Sequence, residues 1–197
     1  MTDPLTAGTD LALFPLNTVL FPGGLLPLRI FETRYVDMVG SCMRSQSAFG
    51  VVMIDQGTEV GTAVSTATIG TSARIVDFQT LEDGLLGLLC QGEQRFRIMR
   101  RTLQSDGLNR ASVEWLQDAP QTTLDPQYLP LAQLLRQVMG RLSNVKRFIE
   151  PRYDDAAWVS HRLAEFLPLE PAAQQRLLEM DDPNGRLELL APLIETP

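Results

Sequence analysis

From Leu11 to about Leu116 the chain is a succession of short apolar runs separated by turn-forming residues. The runs are Leu11–Leu16, Leu25–Ile30, Ala48–Ile54, Ala73–Phe78, Leu85–Cys90, Phe96–Met99 and Ala111–Trp115. Runs this short, bounded by Gly, Pro, Asn and Asp, predict strands, and many of them at this spacing predict a barrel or sandwich. One helix interrupts the series. Between Thr33 and Arg44 the apolar positions Val36, Val39, Cys42 and Met43 recur at helical spacing, with Arg34, Asp37 and Arg44 offset from them. Glu32 or Thr33 would cap its start.

The stretch Gln117–Gln127 is polar, carries two prolines and marks a subdomain boundary. Beyond it the period changes. Leu131, Leu134, Leu135, Val138 and Leu142 form one helical stripe, and Val159, Leu163, Phe166 and Leu167 form another. Two shorter helices are each announced by an acid before a proline, Glu170-Pro171 opening Ala172–Met180 and Asp182-Pro183 opening Asn184–Ile194. Proline at the first helical position loses no hydrogen bond, and the acid complements the helix dipole. The expected organisation is a flexible tail over 1–10, a β-rich subdomain over 11–117 and a helical subdomain over 118–197. No internal repeat or low-complexity segment is visible.

Composition narrows the partners. At 197 residues, with 44% hydrophobic and 21% charged residues, the chain can bury a proper core. The formal charge is −7, and the acidity is even: 12 acids to 9 bases up to Trp115, 12 to 8 beyond it. Phosphate-tracking surfaces need clustered Lys and Arg, so nucleic acid is disfavoured as a partner. Lys146 is the single lysine among 17 basic residues, which removes most lysine-dependent chemistry. Cys42 and Cys90 lack a C-x-x-C partner and read as buried thiols in a reducing compartment. Met1–Asp10 has neither the charged nor the apolar region of a signal peptide. Gly and Pro interrupt every apolar run before the ~20 residues a bilayer requires. A cytoplasmic location, with no membrane partner, is the expectation.

A search for chemistry finds little. The phosphate-loop pattern G-x-x-x-x-G-K-[ST], the dinucleotide pattern G-x-G-x-x-G and the nucleophile elbow G-x-S-x-G are all absent from the sequence. Gly84 and Gly87 suit turn and bulge roles. The single histidine, His161, stands beside Ser160 on a helix, where neighbours point about 100° apart, and is expected to be solvated or capping. Ser143 and Lys146 could meet on one helix face, and a solvated surface is the favoured reading. The acid pairs Asp154-Asp155 and Asp181-Asp182 sit at helix starts, where dipole stabilisation accounts for them. No catalytic residue, cofactor or metal ligand is assigned. After an expected turn at Gln91–Gln94, Arg95 and Arg97 share one strand face with Phe96 and Ile98 on the other. A solvated basic face is expected, with an anion or acidic-partner site as the sharper alternative.

The most informative segment is Leu11–Tyr35, LALFPLNTVLFPGGLLPLRIFETRY. Pro15, Pro22 and Pro27 restrict its strands to short, bulged or edge positions. Phe21-Pro22-Gly23-Gly24 is a turn with a permissive glycine pair. The segment resembles the opening of the LON substrate-binding domain, the N-terminal domain of the ATP-dependent Lon protease family. Leu13-Phe14-Pro15-Leu16, Leu20-Phe21-Pro22-Gly23 and Leu26–Tyr35 match its LFPL, LFPG and LPLRIFE–RY series, with Thr33 where many relatives carry proline. Ile69–Phe78 is similar to the family's glycine-containing strand, Gly92–Ile98 to its G-x-x-R-F-R-I hairpin, and Leu167–Leu190 to the end of its helical half.

The resemblance implies an α+β fold: a PUA-like, mostly antiparallel, six-stranded β pseudo-barrel followed by a small α-helical bundle. It implies a non-catalytic module that recognises protein or peptide substrates, linked to protein quality control. The chain stops where the ATPase and Ser–Lys protease of Lon would begin, so no catalytic residue carries over. Expected partners are unfolded or apolar protein segments, or a protease or chaperone; a homo-oligomer is left open. Candidate protein-binding residues are Arg29, Phe31, Glu32, Arg34 and Tyr35, with Arg95 and Arg97 as a secondary patch. For each of them the competing reading is structural, with Phe31 plugging the core and Arg29 and Glu32 in ion pairs. The alternative function is RNA or small-ligand binding on a PUA-like fold.

Overall fold

In the computed structural model, residues 9–56, 65–117, 121–141 and 146–194 are described. They form the strands β1 (Thr9–Leu16), β2 (Leu25–Ile30), β3 (Phe49–Gln56), β4 (Ser65–Thr66), β5 (Ile69–Thr80), β6 (Leu86–Leu103) and β7 (Asn109–Trp115). Helix α1 (Thr33–Ser45) lies between β2 and β3, and α2 (Leu129–Arg141), α3 (Ala156–Phe166), α4 (Pro171–Glu179) and α5 (Pro183–Ile194) follow the strands. The fold is α+β, a mostly antiparallel barrel followed by helices. The described residues form seven strands, one more than the resemblance implied.

The barrel closes through the order β1-β7-β6-β5-β3, with β3 returning to β1 in the one parallel pairing, Leu13 to Leu16 against Gly50 to Met53. Closure removes exposed edges from those five strands. β4 adds to β3, and β2 pairs only with β6, in register from Leu25↔Gln91 to Ile30↔Leu86.

The expected strands Leu85–Cys90 and Phe96–Met99 are one continuous strand, and Gln91–Gln94 is not a turn. The polar residues there mark a bulge: the β5–β6 register passes from Thr71↔Arg95 to Ala73↔Gly92, leaving an extra residue on β6. A bulge bends the strand without ending it. Gly92 makes the bend usable. Its N–H donates to Gly24 O at 2.9 Å and its carbonyl accepts from Gly23 N at 2.7 Å. A Cβ on Gly92 would lie 2.3 Å from the Phe21 carbonyl oxygen, so only glycine lets that turn rest on the strand.

Helix α1 begins near the expected residue but buries a different face. Tyr35, Met38, Val39 and Cys42 are buried, whereas Val36 and Met43 are exposed. The cause is aromatic: Tyr35 stacks on Phe14 at 4.1 Å between centroids, with Phe49 at 6.0 Å from Phe14, and this larger apolar area outweighs Val36. Glu32 takes the cap position without a capping hydrogen bond from its side chain.

The helices share a core with the barrel. Val19, Phe21, Met53 and Ile69 pack with Leu131, Leu135, Val159, Leu163, Leu178, Leu187 and Leu190. Leu134, expected in the α2 stripe, is exposed, and Ala132 and Met139 are buried in that helix. Leu142 and Ser143 lie outside the described residues. Pro171 and Pro183 open α4 and α5 as their sequence predicts. No helix among the described residues is long and apolar enough to cross a membrane.

Candidate functional site

The Leu11–Tyr35 segment divides into two physical environments. Val19 and the Phe21–Gly24 turn lie at the seam between barrel and helices, while the β1 residues before them pack within the barrel. Phe21 is fully buried, and Gly24 N closes the turn on Phe21 O at 2.9 Å while Gly23 takes φ +73°. From α3, Arg162 Nη2 donates to Pro22 O at 2.9 Å and Glu165 Oε1 accepts from Leu25 N at 3.4 Å. Arg162 and Glu165 pair at 2.8 Å. Burial raises the Glu165 carboxyl above its ordinary range, opposed by Arg162, and lowers the Arg162 guanidinium.

His161 also belongs to this seam, which overturns its expected solvated role. It is buried with its ring 5.7 Å from Phe21. Burial first, then Arg186, Arg162 and Arg95, hold its pKa well below the ordinary 6.5. Ser160 Oγ donates to Ala157 O and accepts from Arg186 Nε, each at 3.0 Å, so its hydrogen bonds go to partners other than the imidazole.

The second half of the segment opens to solvent. β2 and the start of α1 border a cleft of about 400 Å³, lined by Phe14, Leu16, Leu26, Leu28, Ile30 and Tyr35, with Thr18, Arg29, Phe31 and Glu32 beside them. Phe31 is 60% exposed, and Val36 on α1 is 43% exposed. A phenyl ring left in water forfeits ~1.5–3 kcal/mol of burial, so Phe31 is not a core plug. Arg29 is exposed and paired with Asp83. Glu32 pairs with Arg34 at 2.7 Å. Arg34 is itself buried, donating to Gly107 O at 2.8 Å with its guanidinium 4.7 Å from the Tyr35 ring centroid. Arg29, Phe31, Glu32 and Tyr35 therefore meet at one cleft, and Arg34 braces it from beneath.

The second expected patch does not form. Arg95 is 1% exposed rather than solvated. Its Nη1 donates to Leu178 O at 2.9 Å and Met180 O at 3.3 Å, and its Nη2 meets Asp181 at 2.8 Å. Strand alternation alone could not reveal this, because α4 and the α4–α5 connection cover the Arg95 side while Phe96 fills the barrel on the other. Arg97 is exposed and paired with Glu114 at 3.3 Å. The apolar wall formed by Phe14, Leu16, Leu26 and Leu28 was not anticipated. Pro27 was its available signal, since proline marks an edge strand.

Neither cysteine is poised for reaction. Both are free and buried; burial pushes the Cys42 thiol up and takes Cys90 to about 12. No cluster of three or more His, Cys, Asp or Glu suited to a metal occurs among the described residues.

The family model for the ATP-dependent protease La (LON) substrate-binding domain matches residues 10–196. The chain belongs to the LON substrate-binding domain family. The Lon N-terminal domain protein from Xanthomonas campestris has a similar crystal structure: 39% identity, TM-score 0.78, covering 96% of this chain and 99% of that one. The N-terminal domain of the Mycobacterium avium complex Lon protease shares the fold at 16% identity and TM-score 0.68, over 95% and 99% of the two chains. The Lon protease of Paraburkholderia phytofirmans is 32% identical over 182 residues, 87% of this chain and 22% of that protein. The chain thus spans about a fifth of the length of the curated relatives it matches. The matched region is the LON substrate-binding domain, distinct from the catalytic parts named in the resemblance.

Proposed function

We propose that this LON domain is a non-catalytic module that captures exposed apolar or unfolded protein segments, with Phe31 and the cleft behind it as the contact surface. The observation that carries the reading is a phenylalanine 60% exposed on the rim of an apolar cleft, held there by a braced frame of Arg34, Tyr35 and Phe14. Exposed aromatics beside apolar cavities are the usual anchors of protein recognition. The role fits a cytoplasmic protein-quality-control system in which a protease or chaperone acts on the captured segment. Arg29 and Glu32 contribute the remainder of the surface, buried Tyr35 backs the cleft, and Arg34 positions Glu32 and Tyr35. Arg97 lies outside this surface.

RNA binding is the less favoured reading. Four of the exposed arginines that could face phosphate are paired with acids: Arg29 with Asp83, Arg74 with Glu93, Arg97 with Glu114 and Arg147 with Asp77. The test is fluorescence anisotropy with a permanently unfolded, carboxymethylated polypeptide. Phe31→Ala is expected to weaken binding about tenfold with an unchanged melting temperature. Equal affinity of the variant and wild type would overturn the assignment.

A further inference from the structure

We infer that the captured segment binds as an added β-strand along the open edge of β2, main chain to main chain. This rests on the peptide-binding reading above and specifies its mode. β2 pairs with β6 on one side, and no described strand lies on the other. The direction of its main-chain groups follows from a single contact. Leu25 N–H points away from β6, to Glu165 Oε1. Main-chain direction alternates along a strand, so Pro27 and Arg29 face the same open side as Leu25. Proline has no N–H to offer, and its presence there costs the β6 ladder nothing. The open edge therefore presents the Pro27 carbonyl and both the N–H and carbonyl of Arg29, beside the apolar cleft.

These groups define the ligand. An extended polypeptide supplies alternating donors and acceptors at the spacing of the edge, whereas an RNA or a lipid does not. Glu165 at Leu25 ends the edge on one side, and the Glu32–Arg34 pair at the start of α1 ends it on the other. The seat is a few residues long. A peptide residue opposite Arg29 would share its solvent side, while both neighbours would point toward Leu28, Ile30 and Phe14. The preferred sequence is apolar–any–apolar, in a segment free of proline at the paired position. A second copy of this chain is a poorer occupant, because its own β2 edge lacks the Pro27 donor.

The experiment uses the whole chain and a fluorescent eight-residue peptide of alternating valine and threonine. Two further peptides carry backbone N-methyl groups on one or the other alternate set of residues. Strand addition predicts that methylating one set weakens binding about tenfold or more and methylating the other leaves it nearly unchanged, since only one set of N–H groups faces β2. Equal affinity of all three peptides would overturn strand addition and leave apolar capture through Phe31 standing. On the protein side, Arg29→Pro deletes the open N–H, whereas Arg29→Ala deletes only the side chain. Arg29→Pro is expected to bind several-fold more weakly than Arg29→Ala, with the same melting temperature; equal affinities would count against the edge. Loss of all binding in Phe31→Ala together with equal response to the three peptides would keep the site and reject the mode. Unaltered binding in Phe31→Ala would reject the site itself.

Discussion

Phe21 and Phe31 are ten residues apart in one motif, each following a β-prone run, yet one is 1% exposed and the other 60%. Phe21 precedes the Pro22-Gly23-Gly24 turn, which folds onto Gly92 of β6 and receives Arg162 and Glu165 from α3. Phe31 follows β2, whose outer edge pairs with no described strand, and precedes a helix that turns its aromatic face inward through Tyr35. The contrast separates two tasks within one segment. The Phe21–Gly24 turn fastens the helices to the barrel, and Phe31 stands on a surface that the fold leaves unburied.

The largest way to break that contrast is at Phe21. Phe21→Ala removes a buried ring from the core shared by both halves and should cost ~3–5 kcal/mol in a denaturant melt. A loss under 1 kcal/mol would mean that the seam does not depend on it. Next comes the ion pair that clasps the turn. Arg162→Met strands the Glu165 carboxylate in a mostly buried position and should cost about 3 kcal/mol. Replacing both partners, as Arg162→Met with Glu165→Leu, should recover much of that loss, because the pair's desolvation cost disappears along with its attraction. Failure of the double variant to recover stability would assign the loss to the Pro22 hydrogen bond instead.

His161 sharpens the same seam through pH. Its folded-state pKa is lowered, so the folded protein holds it neutral while the unfolded chain takes up a proton below about pH 6.5. Its contribution is fully present above that pH and is lost as pH falls toward the folded-state value. Glu165 acts in the opposite direction, since its raised pKa favours the folded form as the carboxylate protonates. Melts of wild type and His161→Phe between pH 7 and 5 isolate the histidine. The wild type should lose stability faster on acidification, with a gap that widens below about 6.5. Parallel curves would show that the imidazole does not titrate on unfolding.

How much of this was legible beforehand depends on whether each feature is local. Pro171 and Pro183 announced their helices because a missing N–H is tolerated only in the first turn. The succession of a β-rich part and then helices was readable from local periodicity, although β6 was read as two strands and β4 was not read. Arg95 was misread because its environment is made by Leu178, Met180 and Asp181, more than eighty residues away in the chain. The same holds for His161, whose ring lies against Phe21, far from it in the chain. Gln91–Gln94 read as a turn because a polar run at a bulge has the composition of one. Of the candidate surface, Arg29, Phe31, Glu32 and Tyr35 were found together because they are consecutive. The wall from Phe14, Leu16 and Leu26 was missed because Phe14 and Leu16 are themselves buried core residues, and nothing local to them shows that a cleft opens beside them.

The smallest expected effect on stability falls at the residue expected to matter most for binding. Phe31 is more than half in water, so Phe31→Ala deletes little buried area and should change stability by no more than about 0.5 kcal/mol. Its effect on capture of an unfolded polypeptide should be about tenfold, because the ring would become buried only in the complex. This reverses Phe21→Ala, which should lose several kcal/mol of stability. The decisive measurement is both variants side by side, with melts and anisotropy on the same preparations. If Phe31→Ala melts several degrees below wild type, the ring supports the fold through β2 and the division of the motif fails. If it melts with wild type and binds with wild type, the division holds but the client surface lies elsewhere. Loss of binding at full stability is the outcome that ties the exposed half of the motif to recognition.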